Sequence, residues 1–148
     1  VLRSFSPRRI DQPELHVGRL AAQQAYEIAG LGPQDMHVAE VHDASAMGEI
    51  IQAENLGLVE LGMGGPAAER GEFTIGGRIP INPSGGLESK GHPIGATGIG
   101  QLYELVTQLR GEAGARQVEG ARHAIQENGG GMQGVEEAAV AIHILSKS

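Results

Sequence analysis

Six glycines fall between Gly85 and Gly100, in "GGLESKGHPIGATGIG", and directly behind them apolar residues recur at helical spacing: Leu102, Leu105, Val106 and Leu109. Glycine carries no Cβ and pays heavily in entropy inside a regular element, so such a run belongs to turns. The chain is therefore obliged to set a crowded loop at the mouth of a helix of about residues 97–110. Glycine totals 24 residues and concentrates at 57–100 and 128–134, a distribution of loops and not of low complexity.

Periodicity around this segment predicts an α/β domain. Residues 14–29 place Val17, Leu20, Ala21, Gln24, Ala25 and Ile28 on one helical face, behind Pro13 and ahead of Gly30. "MHVAEVH" (36–42) alternates as a short strand that ends at His42 and Asp43. "SAMGEIIQAENLGL" predicts a helix capped by Asp43 or Ser45, with Ile50 and Ile51 turned inward. Residues 57–77 show no period, and "RIPIN" (78–82) reads as a strand at a bend or edge because of Pro80. "RHAIQE" and "EAAVAIHIL" predict two strands joined by a turn at "NGGGMQG". A layered α/β domain ending in a hairpin follows, and its opening on a helix suggests that the first residues complete an element begun upstream.

The 148 residues suffice for one domain. A formal charge of -7 and aromatics at 3% argue against nucleic acid, which is held by Lys and Arg clusters and by stacking. No apolar run reaches the ~20 residues of a membrane span, and the opening residues lack a signal-peptide core, so the expected localisation is cytoplasmic. The absence of Cys excludes disulfides, thiolate metal sites and a cysteine nucleophile on this chain.

His92 lies between Gly91 and Pro93 at the tip of the glycine segment. It is either a solvated loop histidine or a fixed imidazole serving as base or oxyanion donor. The glycines lack the order of a nucleotide-binding fingerprint. His42 and Asp43 form an acid-base pair, or else Asp43 caps a helix and His42 lies on the surface. "ENGGGMQG" is a tight hairpin or a place where backbone passes close to a ligand. His16, His37, His123 and His143 show no metal-ligand spacing and read as structural or surface residues, so no metal is expected.

"NPSGGLESKGHPIGATG" followed by "QLYELVTQLRGEAGARQVEGA", with "VHDAS" upstream and the glycine-rich hairpin downstream, resembles the C-terminal half of the thiolase superfamily, nearest its sterol-carrier-type and lipid-transfer-type branch. The resemblance implies a βαβαβαββ half with a five-stranded mixed sheet and helices on its faces. Residues 1–148 would be a thiolase-like C-terminal domain whose N-terminal half lies outside this chain. It implies a carbon–carbon lyase or acyltransferase acting on a coenzyme A thioester as substrate, with no bound cofactor. The expected partners are the missing N-terminal half or a partner subunit, in a homo- or hetero-oligomer.

By that resemblance His92 matches the Gly-His-Pro histidine that activates a nucleophile and holds the thioester oxygen. His42, Asp43, Ala44 and Ser45 match a His-Asp-Cys-Phe motif, with Ala44 where the acid-base cysteine would be. The other family position for that cysteine falls at Glu127, Asn128 and Gly129. A proton shuttle needs a titratable group, which leaves Glu127 and His42 as candidates beside His92. Gly91, Gly95, Ala96, Gly129 and Gly130 are expected against the pantetheine arm. The alternative is a catalytically silent scaffold subunit or a CoA- or lipid-binding module. The chain alone is expected to be inactive and to associate, with the Ala-rich helix as a candidate uncovered face.

Overall fold

The computed structural model describes residues 1–4, 12–134 and 136–148. A mixed sheet forms the middle layer, in the order β1-β4-β3-β2. β1 (Leu2–Ser4) pairs antiparallel with β4 (Glu136–Ser146), β4 antiparallel with β3 (His123–Gln133), and β3 parallel with β2 (Val38–Glu40). The first residues thus complete a sheet edge, while the rest of the opening stretch, 5–11, lies outside the described residues.

The five-stranded sheet expected from the resemblance is not what forms: the described residues make three principal strands with the short β1 at the edge. The predicted strand 78–82 contributes only one parallel bridge, Ala39 to Ile81. Pro80 has no N–H to donate, and its carbonyl accepts from Ala39 N–H at 2.9 Å. Asn82 then leaves the extended region at φ 51, which stops the ladder.

α1 (Val17–Ala29) and α2 (Ala46–Asn55) cover one side of the sheet, and α5 (Thr97–Arg110) the other. Neighbouring strand residues divide between them. Ala39 and Ile125 join a core with Val17, Ala21, Val140 and Ile142, whereas Val38 and Ala124 join Leu105, Leu109 and Val118. β2 is consequently buried on both faces, as befits a strand in parallel pairing. Leu105 and Leu109 anchor α5, each contributing about 1.5–3 kcal/mol by burial.

The helix faces differ from the predicted ones. α1 starts after His16, whose Nδ1 accepts from Gly18 N–H at 3.1 Å, and buries Val17, Gly18, Ala21, Ala22, Ala25 and Tyr26. Ile28 is exposed. Its Ala-rich face is covered by this chain's own β4 and is not the uncovered surface expected above. In α2, capped by Ser45, Ile51 faces solvent while Gln52, Ala53 and Asn55 are buried. The aperiodic stretch holds α3 (Gly64–Glu69), and α4 (Gly86–Lys90) interrupts the glycine segment. The glycines at 129–131 are not the hairpin turn: β3 runs through them to Gln133, which pairs with Glu136, so the reversal comes after Gln133, and Val135 lies outside the described residues. Among the described residues no helix is long and apolar enough to cross a membrane.

Candidate functional site

The parallel end of the sheet brings two loops together beside β3. β2 ends at Glu40 and delivers His42, while the loop after α4 delivers His92, and their ring centroids lie 4.8 Å apart with planes tilted by 48°. His42 is held twice by β3. Its backbone N–H donates to Glu127 Oε2 at 2.9 Å, and its Nδ1 lies 2.9 Å from the carbonyl of Gly129. A carbonyl only accepts, so Nδ1 carries a proton, and in the neutral ring Nε2 presents a lone pair. His92 Nδ1 lies 2.7 Å from Thr97 Oγ1, which in turn is 3.3 Å from the Pro93 carbonyl.

The two imidazoles border a cleft of about 510 Å³ whose wall includes Gly95, Gly129 and Gly130, with Ile94, Ile99 and Leu102 as its apolar part. Gly91 and Ala96 line instead a neighbouring cavity of about 440 Å³, beside Ser84, Lys90 and Arg116. Of the five residues expected against a ligand, three therefore share the histidine cleft and two do not.

Glu127 is fully buried and does not line the cleft. On β3 it lies on the face of Ile125, toward the α1 layer, and it reaches the site by gripping the backbone of His42. Burial pushes its pKa up to about 8, with the carboxylates of Glu137 and Asp43 adding to the rise and the His42 N–H opposing it. Its Oε1 has no hydrogen-bond partner among the described residues, nor does Asn128 Oδ1 on the cleft side. A carboxyl in such a place holds its proton near neutral pH.

The loop that carries His92 is anchored by two buried carboxylates from the β2 end. Ser84 N–H and Oγ–H donate to Glu40 Oε1 and Oε2 at 3.1 and 2.8 Å, and Lys90 Nζ contacts Ser84 Oγ. Burial raises Glu40 to about 7, against the lowering by Ser84 and Lys90. Asp43 Oδ1 accepts from Leu87 N–H at 2.7 Å. Asp43 therefore neither pairs with His42 nor caps α2; Ser45 Oγ does the capping, accepting from Gly48 N–H at 3.1 Å. The turn is tight enough that a Cβ on Gly86, at φ 62, would stand 1.9 Å from Asp43 Oδ2.

Sequence reasoning missed Glu40, Thr97 and Asn82. The Asn82 carboxamide accepts from Val41 N–H at 2.8 Å and donates to Glu49 at 3.0 Å, joining the loop to β2 and α2. Only Thr97 lies within the glycine segment, and none of the three has a distinctive spacing. His143, read as structural or surface, borders the cleft. His37 and His123 pair at the opposite end of the parallel strands, with ring centroids 5.8 Å apart. Among the described residues no three His, Cys, Asp or Glu side chains come together so as to hold a metal ion.

Comparison with known proteins bears on what such a cleft serves. The chain is 51% identical over 127 residues to an acetyl-CoA acetyltransferase of Methanothermobacter thermautotrophicus, covering 86% of this chain and 32% of the relative. It is 56% identical over 108 residues to sterol carrier protein 2 of Rattus norvegicus, covering 73% and 20%. With benzoylsuccinyl-CoA thiolase subunit BbsB of Thauera aromatica it shares 42% over 98 residues, covering 66% and 26%. A solved structure titled Ltp2-ChsH2(DUF35) aldolase superposes with a TM-score of 0.71 at 26% identity, over 87% of this chain and 31% of that one. The chain thus spans a third or less of the length of these relatives. Residues 8–146 match the family described as thiolase C-terminal domain-like, to which this chain belongs.

Proposed function

We propose that this chain forms the imidazole-bearing part of an acyl-CoA site in a thiolase-like enzyme that makes or breaks a carbon–carbon bond beside a thioester carbonyl. The observation that carries this reading is the contact of His42 and His92 over one glycine-walled cleft. Both imidazoles give their Nδ1 proton to a fixed acceptor. Thr97 Oγ1–H donates to the Pro93 carbonyl at 3.3 Å, so it accepts from His92 Nδ1–H, and a protonated His92 presents Nε2–H as a second donor. His42, with Nδ1–H spent on Gly129, offers Nε2 as a base. A donor aimed at a developing oxyanion and an acceptor beside it suit enolate chemistry.

With no Cys among the 148 residues, cleavage of a β-hydroxyacyl thioester asks least of this chain. His42 Nε2 takes the hydroxyl proton, the Cα–Cβ bond breaks, and its electron pair moves to a thioester enolate held by His92 N–H. The new carbonyl product departs, and the enolate carbon takes up a proton. A nucleophilic thiol, where the reaction uses one, comes from outside these residues. The aldolase title of the superposed structure is in keeping with this chemistry.

A second reading is a scaffold or CoA-binding module without chemistry. It is favoured by Ala44 at the acid-base cysteine position and by Glu127 facing away from the cleft. Assay of the complete protein separates the two readings. Turnover of β-ketoacyl-CoA or β-hydroxyacyl-CoA that falls in His42→Ala and His92→Ala supports the enzyme. Binding of acyl-CoA with no turnover of either thioester supports the module.

A further inference from the structure

We infer that His143 is a third imidazole of the cleft, fixed as a hydrogen-bond acceptor that reads an N–H or O–H donor on the bound ligand. This rests on the reading that the cleft takes an acyl-CoA thioester.

The polarity follows from a buried chain of amides. The Glu127 carbonyl only accepts, so the Gln101 side chain, 3.0 Å away, must turn its Nε2 toward it. That leaves Gln101 Oε1 to accept from Gln126 Nε2 at 2.7 Å. Gln126 Oε1 then faces His143 Nδ1 at 2.6 Å, so Nδ1 must be the donor. The imidazole is fixed as the Nδ1–H tautomer, with an unprotonated Nε2 on the side away from Gln126. Partial desolvation holds the His143 pKa below its ordinary value and keeps the ring neutral.

Gln101 and Gln126 are both 1% exposed, whereas His143 is exposed at the cleft. Burying two carboxamides is costly unless each is well paired, and a merely solvated surface histidine needs no such orientation. Gln126 and His143 are directly opposed in the β3–β4 ladder, so the ring stands on the α5 face of the hairpin with Asn128 and Ala141, which also border the cleft. The histidine cleft thus carries His42 and His92 at one part of its wall and a tautomer-fixed acceptor at another.

The donors of an acyl-CoA thioester divide into those of the coenzyme A moiety, common to every thioester, and a hydroxyl on the acyl chain. Calorimetric titration of the complete protein with butyryl-CoA and with 3-hydroxybutyryl-CoA distinguishes them. His143→Phe is expected to weaken binding about tenfold, the worth of one hydrogen bond of about 1.4 kcal/mol. His143→Gln, which keeps an acceptor and a donor, recovers most of the loss. Equal weakening for both thioesters assigns the donor to the coenzyme A moiety, and weakening confined to 3-hydroxybutyryl-CoA assigns it to the acyl hydroxyl. Wild-type binding of both with His143→Phe within twofold overturns the inference alone, whereas no wild-type binding of either overturns the acyl-CoA reading with it. Should His143→Phe fold poorly, imidazole ¹⁵N spectra of the wild type decide: an Nε2–H tautomer, or an Nε2 resonance unmoved by ligand, overturns the proposal.

Discussion

His42 and His92 meet with ring centroids 4.8 Å apart, although one stands at the end of β2 and the other in the loop between α4 and α5. Each is oriented by a different partner, Gly129 for the first and Thr97 for the second. Removing either ring should lower turnover by the complete protein about 10²–10⁴-fold, the usual worth of one positioned acid or base. Thr97→Val leaves His92 in place but frees its tautomer, and about a tenfold loss is expected. Equal rates for Thr97→Val and wild type would show that the hydroxyl does not set the polarity of His92.

Gly86 and Gly111, the C-cap of α5, offer a paired test of the loop. Both have positive φ, 62 and 77, so alanine costs each about 1 kcal/mol in backbone conformation. Only at Gly86 does a Cβ collide, 1.9 Å from Asp43, while nothing lies within 4 Å at Gly111. Denaturant titration should find Gly86→Ala destabilised by a further 2 kcal/mol or so beyond Gly111→Ala. Similar losses in the two variants would mean that the turn relaxes freely and does not fix His92.

Glu127 predicts a stability profile. Its folded pKa, raised to about 8, means that the native state holds a proton that the unfolded chain releases above about 4.5. Its stabilising contribution is therefore full below about pH 4.5 and is lost as pH rises toward 8. Glu40, raised to about 7, acts in the same sense. Glu127→Gln mimics the protonated form and should flatten most of the decline, leaving the Glu40 part. At pH 9 the variant should melt several degrees above wild type, with little difference near pH 5. A wild-type melting temperature that does not fall between pH 5 and 9 would show that Glu127 is ionised in the folded protein.

That His42 and His92 stand in turns at strand and helix ends was legible, because turns and strand termini follow from local chemistry. The strand count was not legible. A resemblance supplied five strands, but Pro80 and the positive φ of Asn82 reduce residues 78–82 to a single bridge. Helix faces were read from hydrophobicity, whereas the core accepts small residues on α1 and amides on α2, so Ile28 and Ile51 ended outside. His143 was invisible as a cleft residue because its orientation depends on Gln126 and Gln101, which come from β3 and α5. Long-range hydrogen bonding of this kind leaves no periodicity to read.

Asp43 supplies the last prediction. The sequence offers it as partner of His42 or as helix cap, yet its carboxylate does neither: it is 4% exposed and accepts from Leu87 N–H at 2.7 Å, inside the loop that leads to His92. It does not line the cleft, so its effect on chemistry travels through that loop or through the backbone of the preceding His42. Asp43→Ala leaves a buried N–H without its acceptor, a cost of about 1–3 kcal/mol, and lets the turn at Gly86 spread. The displaced His92 should then lower kcat by tenfold or more with KM changed less, since misplacement of a catalytic group by about 1 Å can cost 10²-fold. Asp43→Asn keeps an oxygen for Leu87 but sets an amide against Gly86, so it should restore most of the stability and part of the rate. A purely structural Asp43 would give Asp43→Ala normal kcat per folded molecule, measured well below its melting temperature, and that result would separate the loop anchor from the catalytic geometry.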